Sequence, residues 1–108
     1  MQPSAIHGQK GELADLVAYQ DDAIVSKTLV KGETGSVSIF AFDRGQELSE
    51  HTVPFDALVY VFDGEAEIRI SGANHRVQAG EAIVMPSNQP HAVKALRRFK
   101  MMLSMVKT

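Results

Sequence analysis

Hydrophobic and polar positions alternate along most of this chain with a period of two. From residue 23 onward, apolar and β-branched residues come in short runs broken by Gly, Pro, Asn and Asp. Residues 23–30 are rich in Ile, Val and Thr, which suit a pleated, half-buried surface. Lys31-Gly-Glu-Thr-Gly35 is turn chemistry. Residues 36–42 place Val37, Ile39 and Ala41 on one face and Phe40 and Phe42 on the other. A strand apolar on both faces needs cover on both, and in so short a chain the second cover is expected from another subunit. Further strands are predicted over 48–53, 58–62, 66–70, 75–78, 82–85, 91–96 and 99–106. Pro54 cannot donate to a ladder, so a break or bulge is expected there. Asp63-Gly64 predicts a type I′ hairpin. His91, Val93 and Ala95 share one face of their strand. Phe99, Met101, Leu103 and Met105 share a face of the last strand, with Met102 and Val106 opposite, and these methionines read as core filling. Residues 12–20 follow another spacing, where Leu13, Leu16 and Val17 predict one or two helical turns against the body. Residues 1–10 carry no periodicity and predict a loose tail. About nine short strands with such turns argue an all-β barrel or double-sheet sandwich.

Composition narrows the function classes. A chain of 108 residues is one domain, read as a tail and helical segment at 1–22 ahead of a single β domain at 23–108. It has no cysteine, so disulfides and thiolate metal sites are excluded. No apolar run approaches the ~20 residues needed to span a bilayer, and the first ten residues lack the apolar segment of a signal peptide. No membrane partner and a cytoplasmic location are the resulting expectations. The net charge of −2 is mixed along the chain and gives no electrostatic footprint for nucleic acid. The one basic cluster, Lys94, Arg97, Arg98 and Lys100, reads as a solvated turn between strands or, more sharply, as an anion-attracting rim at a barrel mouth.

Two stretches carry the candidate chemistry. The first places Gly45, His51, Val53, Ala57 and Gly64 at fixed spacing; the second places Gly80, Pro86, Asn88, His91 and Ala95. Together they resemble the two signature motifs of the cupin family, G-x5-H-x-H-x3-E-x6-G and G-x5-P-x-G-x2-H-x3-N. The spacing and both end glycines of the first motif match. His51 and His91 stand at two of the family's four ligand positions, and Val53 and Ala57 stand at the other two. Asn88 replaces the second motif's glycine, and Asn tolerates the left-handed conformation, so little change of the loop is expected. The resemblance covers roughly residues 36–107. It implies a double-stranded β-helix, the jelly-roll cupin barrel related to RmlC.

In such a barrel a metal is held by imidazoles and a carboxylate from neighbouring strands, with open positions for substrate. The resemblance implies either one divalent transition metal (iron, manganese, nickel or zinc) on His51 and His91, or a metal-free pocket. His51, Val53, Ala57, Tyr60 and His91 are the expected lining, with Val53 drying the cavity and Ala57 widening it; Tyr60 otherwise reads as an interface or core aromatic. Asp56 would complete a two-histidine, one-carboxylate set if a bulge near Pro54 turned it inward; otherwise it caps the turn or accepts from backbone amides. His75 shares a face with Val77 and would line the cavity if that face were interior. Two functions follow. One is a small single-domain cupin binding a small molecule, without proven catalysis and with a degenerate metal site. The other is a metal-dependent enzyme of oxygenase or isomerase type using His51 and His91. The sequence does not decide whether the chain is an enzyme. A third class, a structural or regulatory partner domain, would leave the pocket idle. A homodimer through sheet faces and edges is implied by the resemblance and by the two-sided strands 36–42 and 99–106.

Overall fold

A computed structural model describes residues 4–107. The elements in chain order are α1 (Leu13–Leu16), β1 (Ile24–Gly32), β2 (Gly35–Phe42), β3 (Glu47–His51), β4 (Phe55–Ile70), β5 (Ala73–Gln78), β6 (Ala82–Met85) and β7 (His91–Lys107). The architecture is an antiparallel jelly roll built around one long pair. β4 and β7 run together from Phe55↔Lys107 to Ile70↔His91, with register shifts between Val61 and Asp63 and between Gly64 and Ala66. There the pair bends. On one side of the bend the order is β1-β2-β7-β4-β6; on the other it is β3-β7-β4-β5.

The inner faces of both halves form one core. Ala57, Val59 and Val61 contribute from the first half of β4, Ala66 and Ile68 from its second half, and Val93, Ala95, Phe99 and Met101 from β7. The Phe42 and Phe99 rings stack at 4.5 Å between centroids. The faces predicted for strands 36–42, 91–96 and 99–106 are those observed.

The Asp63-Gly64 hairpin is not formed: the chain continues through these residues as β4. Gly64 instead serves a close approach. Its φ is +74°, and a Cβ there would lie 1.8 Å from the Arg98 carbonyl oxygen. A left-handed glycine is the residue that lets an antiparallel strand bulge and bend. The predicted strands 91–96 and 99–106 are likewise one strand, and the basic cluster lies within it, not on a turn. Pro54 does interrupt pairing, between the end of β3 and the start of β4. Asn88 sits at φ +63°, so the loop keeps the glycine-like conformation.

The second face of β2 is covered from within the chain. Val17, Leu29, Ile39 and Ala41 form a separate buried cluster, joined by Ile6, Leu13, Leu16, Tyr19, Phe62 and Met102. Of the stretch expected as a loose tail, Ile6 joins this layer while residues 7–10 are exposed, and its first three residues lie outside those described. Polar contacts hold this layer down. The Tyr19 hydroxyl donates to Asp63 at 2.5 Å, Lys100 Nζ donates to the Ala14 carbonyl at 2.6 Å, and Arg98 bridges Asp21 and Asp43 at 2.7 and 2.8 Å. Burial and the Asp63 contact raise the Tyr19 pKa, while the Arg98 guanidinium holds the Asp43 carboxyl below its ordinary value. Among the described residues, no helix is long and apolar enough to cross a membrane.

Two glycine substitutions test the bend. Gly64→Ala meets both a wrong-handed φ and backbone atoms that cannot move aside. Gly72→Ala, at φ +85° with nothing within 4 Å of the new Cβ, meets only the first. In urea titrations Gly72→Ala is expected to cost roughly 1–2 kcal/mol. Gly64→Ala is expected to cost clearly more, or to abolish folding. Equal losses would show that the close approach to Arg98 does not matter.

Candidate functional site

The site forms where the end of β3 meets the start of β7. His51 and His91 are direct partners across these two strands. Their ring centroids are 4.5 Å apart, edge to face at 63°. The register shift between Leu48 and His51 and the break at Pro54 place His51 at this margin, where it is exposed, whereas His91 is only 4% exposed.

The two rings share one hydrogen-bonding arrangement. His51 Nδ1 lies 2.8 Å from the Ser49 carbonyl oxygen, and His91 Nδ1 lies 3.3 Å from that of Gln89. A carbonyl only accepts, so Nδ1 carries the proton in each ring, and each neutral imidazole keeps its lone pair on Nε2. Burial pushes the His91 pKa below the ordinary imidazole value; the Gln89 carbonyl opposes this and the His51 ring adds to it. His91 is therefore neutral at pH 7.

The opposite wall comes from the other half of the barrel. Met85, Ala57 and Met105 lie in one row across β6, β4 and β7, so two methionines flank the small Ala57 side chain. Met101, Leu103, Val93, Leu48 and Val53 complete the lining. The cavity is small, with a volume of about 50 Å³. Apart from the two imidazoles its walls are aliphatic or thioether.

Of the residues expected to line the cavity, His51, Val53, Ala57 and His91 do so. Tyr60 does not. Ala57, Val59 and Val61 point inward, so alternation turns Tyr60 to the outer face, where it pairs with Met102 and its ring lies 6.4 Å from Phe62. Asp56 also points away, and its Oδ1 accepts the Ser87 N–H at 2.9 Å, the capping role anticipated for it. His75 pairs with Ile68 on β5, two strands from β7, and is exposed outside the pocket. Sequence reasoning missed Met85, Met101 and Met105 as pocket residues. The face shared by Met101 and Met105 was readable, but their approach to Ala57 depends on a pairing that the predicted hairpin concealed.

A hard divalent cation does not fit this donor set. Among the described residues no group of three or more His, Cys, Asp or Glu side chains is placed to hold a metal. The Asp56 carboxylate, the one anticipated as a third ligand, is engaged on the outer face.

Protonation of His91 provides a test. Its folded pKa lies below the unfolded value of about 6.5, so its stabilisation is present above that pH and is lost as pH falls. Wild-type stability from urea titrations should therefore decline from about pH 7.5 to about pH 5.5, by no more than about 1.4 kcal/mol per pH unit from this group. His91→Phe should lose that part of the slope. An unchanged slope in the variant would show that His91 does not titrate differently on folding.

The comparisons with known proteins come down on the same fold. A family model described as Cupin domain matches residues 38–106. The chain is similar to a conserved protein of unknown function from Streptococcus pyogenes, with TM-score 0.93 and 36% identity over 100% of this chain and 96% of that one. It is similar to a cupin 2 conserved barrel domain protein from Leptotrichia buccalis, with TM-score 0.85 and 44% identity over 88% of this chain and 46% of that one. A cupin superfamily protein from Desulfitobacterium hafniense gives TM-score 0.85 at 25% identity, over 89% of this chain and 88% of that one. No curated protein matches the chain.

Proposed function

The chain belongs to the cupin family, and from that premise we propose that it binds a small molecule in its barrel, at the pocket between His51 and His91 and the methionine wall. One observation carries this reading: a largely apolar cavity whose only titratable groups are two imidazoles, each with Nδ1 engaged and Nε2 available. Such a pocket suits a compact, mostly apolar ligand with one or two N–H or O–H donors for the Nε2 lone pairs. Methionine walls adapt to irregular shapes and suit a pocket of this kind. The placement of two imidazoles side by side favours a second reading, a metal-dependent cupin enzyme using His51 and His91. The absence of a third ligand of the usual type among the described residues places it behind the first.

Protein labelled with carbon-13 at the methionine methyl groups tests the pocket. Small azoles and phenols should shift the Met85, Met101 and Met105 signals and leave Met102, on the outer face, unmoved. His91→Leu should abolish the response. Pocket methyl signals that do not move with any such compound would overturn the reading.

The chain is also proposed to form a homodimer, through the part of the outer face that its own N-terminal layer leaves open. Val30, Leu58 and Val84 are 54%, 38% and 51% exposed. They fall in one row across the strands, Val84↔Leu58↔Ser104↔Val37↔Val30. Phe40 and Met102, by contrast, pack within the chain. Sedimentation analysis should show a dimer that Leu58→Lys with Val84→Lys converts to folded monomer. A monomeric wild type would remove the dimer, and an unchanged dimer would remove this face.

A further inference from the structure

We propose that the pocket is a site for a soft monovalent cation, copper(I), held by the thioether sulfurs of Met85 and Met105 together with imidazole nitrogens of His51 and His91. This deepens the preceding proposal and rests on its reading of the pocket as a binding site.

The argument begins with which donors are present. Of the chain's five methionines, three line this one cavity, while Met102 lies on the outer face. The chain has no cysteine, so thioethers are its only soft donors. Thioether sulfur binds copper(I) and its like and has little affinity for hard cations such as manganese or magnesium. Position matters as well. Met85 and Met105 are the two cross-strand neighbours of Ala57, whose small side chain leaves space between them. The position where the resemblance would place a carboxylate thus has a thioether on either side.

The histidines are arranged to match. In both rings the backbone carbonyl fixes the proton on Nδ1, the usual way a ligating imidazole is oriented, and leaves Nε2 as the donor. Thioethers carry no charge, and no carboxylate lines the pocket to offset a double charge. The cost of burying an ion grows as the square of its charge, so a monovalent cation loses roughly a quarter of what a divalent one of equal size would. Softness and charge therefore select the same ion.

Methionine also fills cores, and leucine fills them nearly as well. Substituting leucine therefore separates ligation from packing. Untagged protein would be titrated anaerobically with copper(I) against a chromophoric copper(I) chelator, with silver(I) as a redox-inert substitute. One copper(I) per chain is expected. Met85→Leu with Met105→Leu should weaken binding by roughly tenfold or more while the far-ultraviolet circular dichroism stays unchanged. Silver(I) should shift the labelled methyl signals of Met85 and Met105 in the wild type, a readout that holds even if the double variant fails to fold. Copper(I) left with the chelator, equal affinity in wild type and a folded double variant, or unmoved methyl signals would each overturn the proposal. If silver(I) leaves these signals in place while azoles move them, the cation falls and the small-molecule reading stands. If silver(I) alone moves them, the organic-ligand reading falls. If neither does, both fall.

Discussion

Everything in this fold depends on one antiparallel pair that does not stop where it bends. β4 and β7 stay hydrogen-bonded from Phe55↔Lys107 to Ile70↔His91, and each half of the pair is completed by different strands. The bend at Gly64 brings the two inner faces together, so the same pair supplies both walls of the cavity. From one side of the bend come Ala57, Met101 and Met105; from the other come His91 and Val93. The site cannot be assembled without the bend, and the bend cannot form with a side chain at position 64 against the Arg98 carbonyl.

The replacement of ligands by apolar groups changes the chemistry of the pocket without changing its frame. Val53 and Ala57 remove two polar positions, yet His51 and His91 still meet across β3 and β7. The paired histidines sit at the margin of the barrel, half open to solvent through His51, while the sulfur-rich wall lies deeper. A pocket with a polar lip and a polarizable floor discriminates by softness and by shape. No carboxylate lines it, so it offers nothing to offset a double charge.

Alternation made much of this legible in advance. The faces of residues 36–42, 91–96 and 99–106 follow from period two, and the spacing of the glycines and histidines pointed to the barrel. Two things were not legible. Asp-Gly is a hairpin signal by local preference, but its conformation equally serves a bulge, and only the partner strand decides between them. The cover over Ile39 and Ala41 was expected from a second subunit, because the spacing of Leu13, Leu16 and Val17 announces helical turns without saying which sheet face receives them. Leu13, Leu16, Val17 and Tyr19 acquire meaning only once the sheet is there to receive them. Tyr60 stands three residues from Ala57, an odd step that puts it on the opposite face, where the alternative of a non-pocket aromatic holds.

That N-terminal layer has a consequence for how the protein is made. Its apolar floor comes mainly from β1 and β2, but its polar anchors come from β7, through contacts such as Lys100 with Ala14 and Arg98 with Asp21, which join positions 86 and 77 residues apart. During synthesis those anchors are missing until β7 has left the ribosome. The central pair, which joins residue 55 to residue 107, is also incomplete until then. Such long-range pairing makes folding slow relative to helical proteins of the same length. The nascent chain therefore waits, with this layer unanchored, for the strand that completes the barrel.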